Sequence, residues 1–320
     1  MMKIGTALLA GLALLATVPA AAQTPAKLPY PVKLVTLVTH STPGAGSDVV
    51  LREMIKYLER YIDTKFIVEN DEGGSGAKAM ARVAGAKPDG SMLYATTPTY
   101  ILTSLLSKPS RTYRDLEPLV NTFTDSEVVY TRADAPYKSL NDVIAKARAS
   151  RGRWGVSNPA SLERESAEQL KTNAKVNAAI VSHDGGGDMM INVLNGTLDM
   201  GVGEIDEIRA QLEGRKVRVL ATFNPNRLPG FPTVPTVSEL GYKVVVSKFR
   251  GLAGPKGLPP SLIKTWEQAI QRVLADPEFK KSYAEDDLVA DYIPHDQYGP
   301  FIEKFAADSG NFLKTAGMIR

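Results

Sequence analysis

Cysteine is absent from the 320-residue sequence. Its absence excludes disulfides, thiolate metal ligands and a cysteine nucleophile. It also excludes an N-terminal lipid anchor, because such an anchor is attached to a cysteine. The fold therefore depends on its hydrophobic cores, and at about 150 residues per domain this length predicts two domains.

A strong excess of one charge is also lacking. Lysine and arginine number 38, aspartate and glutamate 35, and the formal net charge is +3. A nucleic-acid-binding protein would carry a strongly basic patch or stripe, so we expect no nucleic-acid partner. Any anion must then be recognised by a local group of residues.

Motifs of catalysis are scarce. The three histidines, His40, His183 and His295, are far apart and form no zinc-binding H-E-x-x-H pattern. Residues 74–79 fit only a loose G-x-G-x-x-A without a clear ribose-binding acid, and no G-x-x-x-x-G-K-(S/T) phosphate loop occurs. A G-x-S-x-G nucleophile motif fails at Ala77. We therefore expect no enzyme activity, no metal and no cofactor.

The apolar run at the N-terminus is too short to cross a membrane, which takes about 20 residues. Residues 4–18 follow the positive Lys3, and Pro19 and three alanines ending at Ala22 come next. A charged start, a short apolar run and a small-residue end are typical of a secretory signal peptide. We predict that residues 1–22 are this signal and that the exported, soluble chain begins at Gln23.

Two copies of one pattern follow. Residues 32–39 are rich in β-branched side chains, residues 41–48 form turns, and apolar residues then recur at helical spacing. Residues 66–68, a glycine loop at 69–76 and a helix repeat this order. Strands that alternate with helices predict an α/β fold with a parallel sheet and helices on both faces.

The alternation restarts after an extended crossing segment at residues 118–133. Ser139 is placed to cap the next helix. We predict two Rossmann-like α/β domains with a cleft between them. One is discontinuous, residues 31–122 plus 249–320, and the other is inserted, residues 123–248.

Five motifs then occur in order. They are Pro-Gly-Ala-Gly-Ser-Asp at 43–48, Glu-Asn followed by glycines at 69–77, Lys-Pro-Asp-Gly at 87–90, three glycines at 185–187 with Gly-Thr-Leu-Asp at 196–199, and Pro-Thr-Val-Pro-Thr-Val-Ser-Glu-Leu-Gly-Tyr at 232–242. With these motifs the sequence resembles the substrate-binding proteins of tripartite tricarboxylate transporters, also called Bug or TctC-like receptors. The resemblance covers nearly the whole mature chain.

The resemblance implies a periplasmic-binding-protein-like fold and a function. It implies a monomeric periplasmic receptor that captures a small organic carboxylate and delivers it to integral-membrane transporter subunits. A periplasmic sensor subunit for a signalling kinase and a periplasmic hydrolase are the alternatives. Two departures, His40-Ser41-Thr42 and Ser182-His183-Asp184, replace apolar or aromatic residues and predict a more polar pocket.

The ligand site is predicted at the carboxyl ends of the parallel strands, where helix N-termini present backbone N–H groups to an anion. Backbone groups of Gly44, Ala45, Gly46, Gly74, Ser75 and Gly76 would bind the carboxylate, and hydroxyls of Ser41, Thr42 and Ser47 would add donors. The alternative is that these glycines only form tight turns.

The opposite domain would contribute the rest of the site. His183 and Asp184 are predicted to contact the far end of the ligand, and Glu204 to line the same cleft. Asp48 is predicted to cap a helix rather than to bind ligand. The remaining predicted ligand-binding residues are Thr97, Ser157, Asn158 and Gly186.

Overall fold

The computed structural model describes residues 26–320. The predicted signal peptide, residues 1–22, lies outside the described residues. Within the described range, no helix is both long and apolar enough to span a membrane.

Strands and helices alternate along most of the chain. Their order is β1 (Leu34–Thr39), α1 (Gly46–Tyr61), β2 (Lys65–Asn70), α2 (Ala77–Ala84), β3 (Met92–Thr96), α3 (Pro98–Ser107), β4 (Leu116–Asp125), β5 (Glu127–Arg132), α4 (Leu140–Ala149), β6 (Gly152–Val156), α5 (Leu162–Ala174), β7 (Ala178–Ser182), α6 (Gly186–Leu194), β8 (Met200–Glu204), α7 (Ile205–Glu213), β9 (Val217–Thr222), β10 (Lys248–Pro255), α8 (Pro260–Ala275), α9 (Pro277–Glu285), β11 (Val289–Ile293) and α10 (His295–Thr315).

The strands form two sheets. The first has the order β11-β4-β10-β3-β1-β2, and the second has the order β7-β6-β8-β5-β9. β1 is parallel to β2 and β3, and β6 is parallel to β7 and β8. β4, β5 and β10 pair antiparallel with their neighbours. Each sheet is therefore mixed, because strands that cross between the sheets join parallel units in the opposite direction.

The chain crosses between the sheets at two points. β4 ends at Asp125 in the first sheet and β5 begins at Glu127 in the second, so the first crossing is at Ser126. β10 begins at Lys248 in the first sheet after an irregular segment from the second, so the second crossing is at Ser247. The two-domain α/β fold predicted from the alternation is confirmed, and the residue boundaries stay a prediction.

Each sheet has its own buried core. Leu37 and Leu58 pack with Trp266 against the first sheet. Trp154 and Val129 are fully buried against the second. Leu313 of α10 also packs into the core of the second sheet. The C-terminal helix thus contacts both cores, although the predicted division assigns all of residues 249–320 to the first domain.

Local capping explains where several helices begin. The Ser139 hydroxyl accepts a hydrogen bond from the Asp142 amide at 3.3 Å, and the Asp142 carboxylate accepts from the Ser139 amide at 2.9 Å. This reciprocal pair satisfies two N–H groups that an α-helix leaves unpaired. The predicted cap at Ser139 is confirmed.

Candidate functional site

A cavity with a volume of about 310 Å³ lies between the two domains. This volume falls in the range of small-molecule sites. Its first wall consists of loops that follow β1, β2 and β3, at residues 40–47, 72–76 and 97–99. Its second wall consists of residues 157–159, Glu163, residues 183–186, Glu204 and Glu207, which belong to the domain of the other sheet. Lys248, at the second crossing, completes the lining.

The first wall begins with the N-terminus of α1. Ala45 is the N-cap residue, and an alanine supplies no side-chain acceptor for the amides of the first turn. A helix of 16 residues presents partial positive charge at this end, and the cavity lies against it. The wall is thus suited to a carboxylate.

Asp48 does not cap α1, contrary to the prediction. It is the third residue of the helix, and its carboxylate accepts from the Gly44 amide at 2.9 Å and from Asn70 Nδ2 at 3.0 Å. It also pairs with Arg52. These three partners fix the loop before α1, and Asp48 does not line the cavity.

The second glycine loop owes its shape to left-handed backbone. Gly73, Gly74, Ser75 and Gly76 have φ values of 134°, 57°, 52° and 94°. Glycine adopts these angles without a Cβ penalty, whereas Ser75 does so at a cost. Thr103 Oγ1 donates to the Ser75 carbonyl at 2.6 Å and holds this turn against α3. The glycines therefore make the turn, and the same turn faces the cavity.

Two further groups of the first wall are polar, the buried Thr97 and the half-buried His40. The Thr97 hydroxyl is buried and has no hydrogen-bond partner among residues 26–320, and Thr97 lines the cavity. His40 Nδ1 is 3.1 Å from the Tyr94 hydroxyl, and the two rings stack. Burial, with a smaller contribution from the positive Lys248, lowers the pKa of His40 to about 4. His40 is therefore neutral at physiological pH.

The second wall is acidic. Glu163, Asp184, Glu204 and Glu207 all line the cavity. His183 also lines it, and its ring Nδ1 is 3.2 Å from the Val156 carbonyl. This contact fixes the orientation of the imidazole at the end of β6.

Lys248 lies between two carboxylates. Its Nζ donates to Glu163 Oε1 at 2.9 Å and also contacts Glu204 Oε1. Burial opposes the charge on Lys248, but Glu163 and Glu204 outweigh burial and raise the pKa of the lysine well above its usual value.

One lysine compensates only one of these carboxylates. Burial tends to raise the pKa of Glu163, but Lys248 and hydrogen bonds lower it to about 2. Burial raises the pKa of Glu204 well above its usual value, and the charge of Glu163 adds to this effect. Lys248 thus favours the charged form of Glu163, whereas burial and Glu163 disfavour the charged form of Glu204.

Arg250 connects the first sheet to the second wall. Its Nε donates to Asp125 Oδ2 at 2.6 Å, its Nη1 donates to the Ser47 hydroxyl at 3.0 Å, and its Nη2 is 3.4 Å from Asp206 Oδ2. A Cβ on Gly46 would overlap this guanidinium. The lack of a side chain at Gly46 thus makes room for Arg250.

Carboxylate oxygens of Glu127, Glu163 and Glu204 lie within 4.8 Å of one another, a spacing that could hold a metal ion. The Lys248 ammonium contacts two of the three. The protein thus supplies its own cation at this position, and the carboxylates do not require a metal.

Almost all of the predicted ligand-binding residues line the cavity. The residues in contact with it are Ser41, Thr42, Ala45, Gly46, Ser47, Gly74, Ser75, Gly76, Thr97, Ser157, Asn158, His183, Asp184, Gly186 and Glu204. Gly44 does not line it. Sequence reasoning missed Glu163, Glu207 and Lys248. A signal for Lys248 existed, since it and Arg250 interrupt the otherwise apolar run before Leu252.

Two α/β domains that face each other across a ligand-sized cavity are the architecture of periplasmic binding proteins. The chain belongs to one family within this class, because the family model described as tripartite tricarboxylate transporter family receptor matches residues 50–318.

Two curated relatives match most of the chain. The UPF0065 protein in the gbd 5' region of Cupriavidus necator is 26% identical over 289 residues, which cover 89% of this chain and 88% of the relative. Protein BugT of Bordetella pertussis is 26% identical over 296 residues, with 89% and 88% covered.

Solved structures show the same fold. Rpa4515 of R. palustris with adipate has a TM-score of 0.85 and 23% identity, over 90% of this chain and 98% of that chain. MatC from Rhodopseudomonas palustris with bound malate has a TM-score of 0.78 and 22% identity, over 88% and 99%.

Proposed function

We propose that this protein is an exported receptor that captures a small organic carboxylate in the cleft and delivers it to membrane subunits of a tripartite tricarboxylate-type transporter. The observation that supports it most is the first wall of the cavity. There the N-terminus of α1 and the left-handed turn at 73–76 meet around one space. Backbone N–H groups at such ends bind carboxylates without an arginine.

Relatives of known structure support the ligand class. Adipate and malate, bound by two structures of the same fold, are both carboxylates. Membership of a receptor family also supports a binding function rather than catalysis. Export to the periplasm follows from the predicted signal peptide, with cleavage after Ala22.

The binding proposal is tested by thermal unfolding of the mature protein with a panel of mono-, di- and tricarboxylates. A ligand at a hundredfold excess over its Kd stabilises the folded state by about 2.7 kcal/mol, which should raise the melting temperature by several degrees. Neutral amide analogues of the same acids are the control, because they keep the size and remove the charge. A melting curve that no acid moves would contradict the proposal.

Two further measurements test the other parts of the proposed function, which are export and binding without chemical conversion. Intact mass of the protein recovered from the periplasmic fraction should correspond to a chain that begins at Gln23, and an uncleaved cytoplasmic chain would contradict export. Mass spectrometry of released ligand should return the acid unchanged. Recovery of a converted product would favour the hydrolase instead.

A further inference from the structure

Acidic side chains far outnumber basic ones around the cavity. Its lining contains Glu72, Glu163, Asp184, Glu204 and Glu207, whereas Lys248 is the one lysine or arginine in the described lining. Four of the five acids belong to the second wall. A second carboxylate of a ligand placed against that wall would meet like charges, which is unfavourable in a partly desolvated site.

The cations near the second wall are already paired. Lys248 contacts both Glu163 and Glu204, and Arg250 contacts Asp125 and Asp206. Burial and neighbouring acids raise the pKa of Glu204 and Glu127 well above the usual range, and raise that of Glu207 to about 7. Lys248 and Arg250 thus face five carboxylates, those of Asp125, Glu163, Glu204, Asp206 and Glu207, which two cations cannot all balance.

Glu207 occupies the place where an anion would bind on the second wall. α6 begins at Gly186, and its N-cap residue, Gly185, provides no side-chain cap. A Cβ on Gly186 would overlap the Glu207 carboxylate, so that carboxylate lies directly against the start of the helix. The glycine motif at 185–187 thus faces an acid of this chain, and a ligand carboxylate would have to displace it.

Two carboxylate oxygens of this wall lack protein partners. Glu163 is 3% exposed and lines the cavity, and its Oε2 has no hydrogen-bond donor among residues 26–320. Glu207 Oε2 is buried and likewise has no donor within that range. A carboxylate with a buried oxygen that has no donor is costly, so both carboxylates, which line the cavity, favour a ligand that brings N–H groups.

We propose that the ligand carries an ammonium group as well as a carboxylate, with the carboxylate at the first wall and the ammonium received by Glu163 and Glu207. This inference rests on the proposed carboxylate-binding function and narrows it to amino acids or similar zwitterions. Each carboxylate would accept a charge-assisted hydrogen bond from the ammonium, and such bonds are stronger than those between neutral groups.

The experiment also distinguishes two other groups that the acidic wall could bind. A divalent metal could bind the carboxylates that Lys248 leaves unpaired. Alternatively, a protonated Glu207 could donate a hydrogen bond to a second ligand carboxylate. The three possibilities differ in which ligand binds and in the direction of proton exchange, because an ammonium expels a proton from Glu207 and a carboxylate retains it.

The experiment compares acids that differ only by an amino group, using calorimetric titration of the mature protein at pH 7. The pairs are butanoate with 4-aminobutanoate, succinate with aspartate, and glutarate with glutamate. In at least one pair the amino-bearing acid should bind at least about tenfold more tightly, the effect of one charge-assisted hydrogen bond. Titrations in two buffers of different ionisation enthalpy should show proton release.

Glu207→Gln should remove most of that preference and the proton release. It is an informative variant because the Glu207 side chain has no hydrogen-bond partner at Oε2 to lose. Glu213→Gln is the matched control, since Glu213 is an exposed acid at the end of the same helix. It should leave the preference unchanged. If Glu207→Gln does not fold, the paired titrations and the proton release of the parent protein decide the proposal.

The outcomes separate this inference from the proposed function. If an acid without a cationic nitrogen binds more tightly than every amino-bearing acid, the inference is overturned and the carboxylate receptor stands. Proton uptake on binding, or stabilisation by a divalent metal that EDTA reverses without any preference within the pairs, overturns it too. If no acid of the pairs or of the wider panel binds, both proposals fall.

Discussion

The two walls of the cleft differ in charge and composition. The first wall is made of glycine turns, hydroxyls and a helix N-terminus, and its one acid, Glu72, is exposed. The second wall concentrates buried carboxylates around a single lysine. Backbone dipoles of the first wall favour an anion, whereas the second wall has more carboxylates than cations. A cleft with two different poles orients its ligand, because an ion reversed in the site would meet the wrong wall at both ends.

The largest expected effect concerns the stability of the second wall. Lys248→Met keeps the length of the side chain but leaves Glu163 and Glu204 without their cation. Removing one partner of a buried ion pair costs about 3–5 kcal/mol, and we expect a loss of this order in the free energy of unfolding measured by urea denaturation. Lys243→Met, at an exposed lysine, should change it by less than about 0.5 kcal/mol. Equal values for the two variants would mean that the acidic wall does not depend on Lys248.

The next effect is a pH dependence of stability. Burial, with the negative charges of Glu163 and Asp206, raises the folded-state pKa of Glu207 to about 7, while Lys248 and Arg250 oppose the shift. The unfolded chain then binds fewer protons than the folded chain between pH 4.5 and 7, so the contribution of Glu207 to stability is present below pH 4.5 and is lost as pH rises to 7. Glu207→Gln should remove a decrease on the order of 1–3 kcal/mol from the unfolding free energy across this range.

Glu165 is the comparison for this effect. Burial also raises its pKa to about 7, but it lies outside the cavity. Glu165→Gln should therefore flatten the pH dependence of stability without changing the pH dependence of ligand affinity, whereas Glu207→Gln should change both. If the ligand affinity of the two variants depended on pH in the same way, Glu207 would not belong to the ligand site.

A smaller effect distinguishes a glycine with another side chain packed against it from a glycine in open space. Gly46→Ala should lower stability by about 1–3 kcal/mol, the usual cost of overpacking, because the added methyl overlaps the Arg250 guanidinium. Gly187→Ala, in open space within α6, should be neutral or stabilise by up to about 1 kcal/mol. Thermal and urea unfolding of both variants provide the measurement. A harmless Gly46→Ala would show that Arg250 can move aside.

The smallest expected effect tests the first wall. Thr97→Val removes a buried hydroxyl that has no protein partner within residues 26–320, so stability should not fall. Ligand affinity should fall about fivefold, equally for both members of an amino and non-amino pair, if this hydroxyl donates to the carboxylate. Thr103→Val is the control, because it breaks the 2.6 Å hydrogen bond to the Ser75 carbonyl and should cost about 1 kcal/mol of stability. Unchanged affinity in Thr97→Val would place the carboxylate elsewhere.

Sequence reasoning predicted residues on both walls of the cavity but not the ion pairs of the second wall. Strand, glycine loop and helix are adjacent in the chain, so residues 41–47 and 74–76 could be placed in a cleft from local pattern alone. The second wall depends on Lys248, which reaches Glu163 across 85 residues and Glu204 across 44. No local pattern encodes such a contact.

The same limit applies to the role of single residues. Gly46 reads as a glycine that lets a ligand approach, but Arg250, which a local pattern cannot place, uses that space. Asp48 reads as a helix cap, yet Asn70 from the next strand and the Gly44 amide take up its carboxylate. In each case the residue type indicated a local role, but the sequence did not show which distant residue it contacts.

The two crossings at Ser126 and Ser247 lie beside buried ion pairs, and we expect a rotation of one domain against the other to pivot at these crossings. Asp125, Glu127 and Lys248 are immediate neighbours of those crossings, and Arg250 is close by. In a rotation, displacement grows with distance from the axis. Atoms beside the pivot would therefore travel less than atoms far from it. Opening the cleft can expose the ligand to solvent while the charges at its base keep their partners, so the energetic barrier to motion need not include the separation of buried ions.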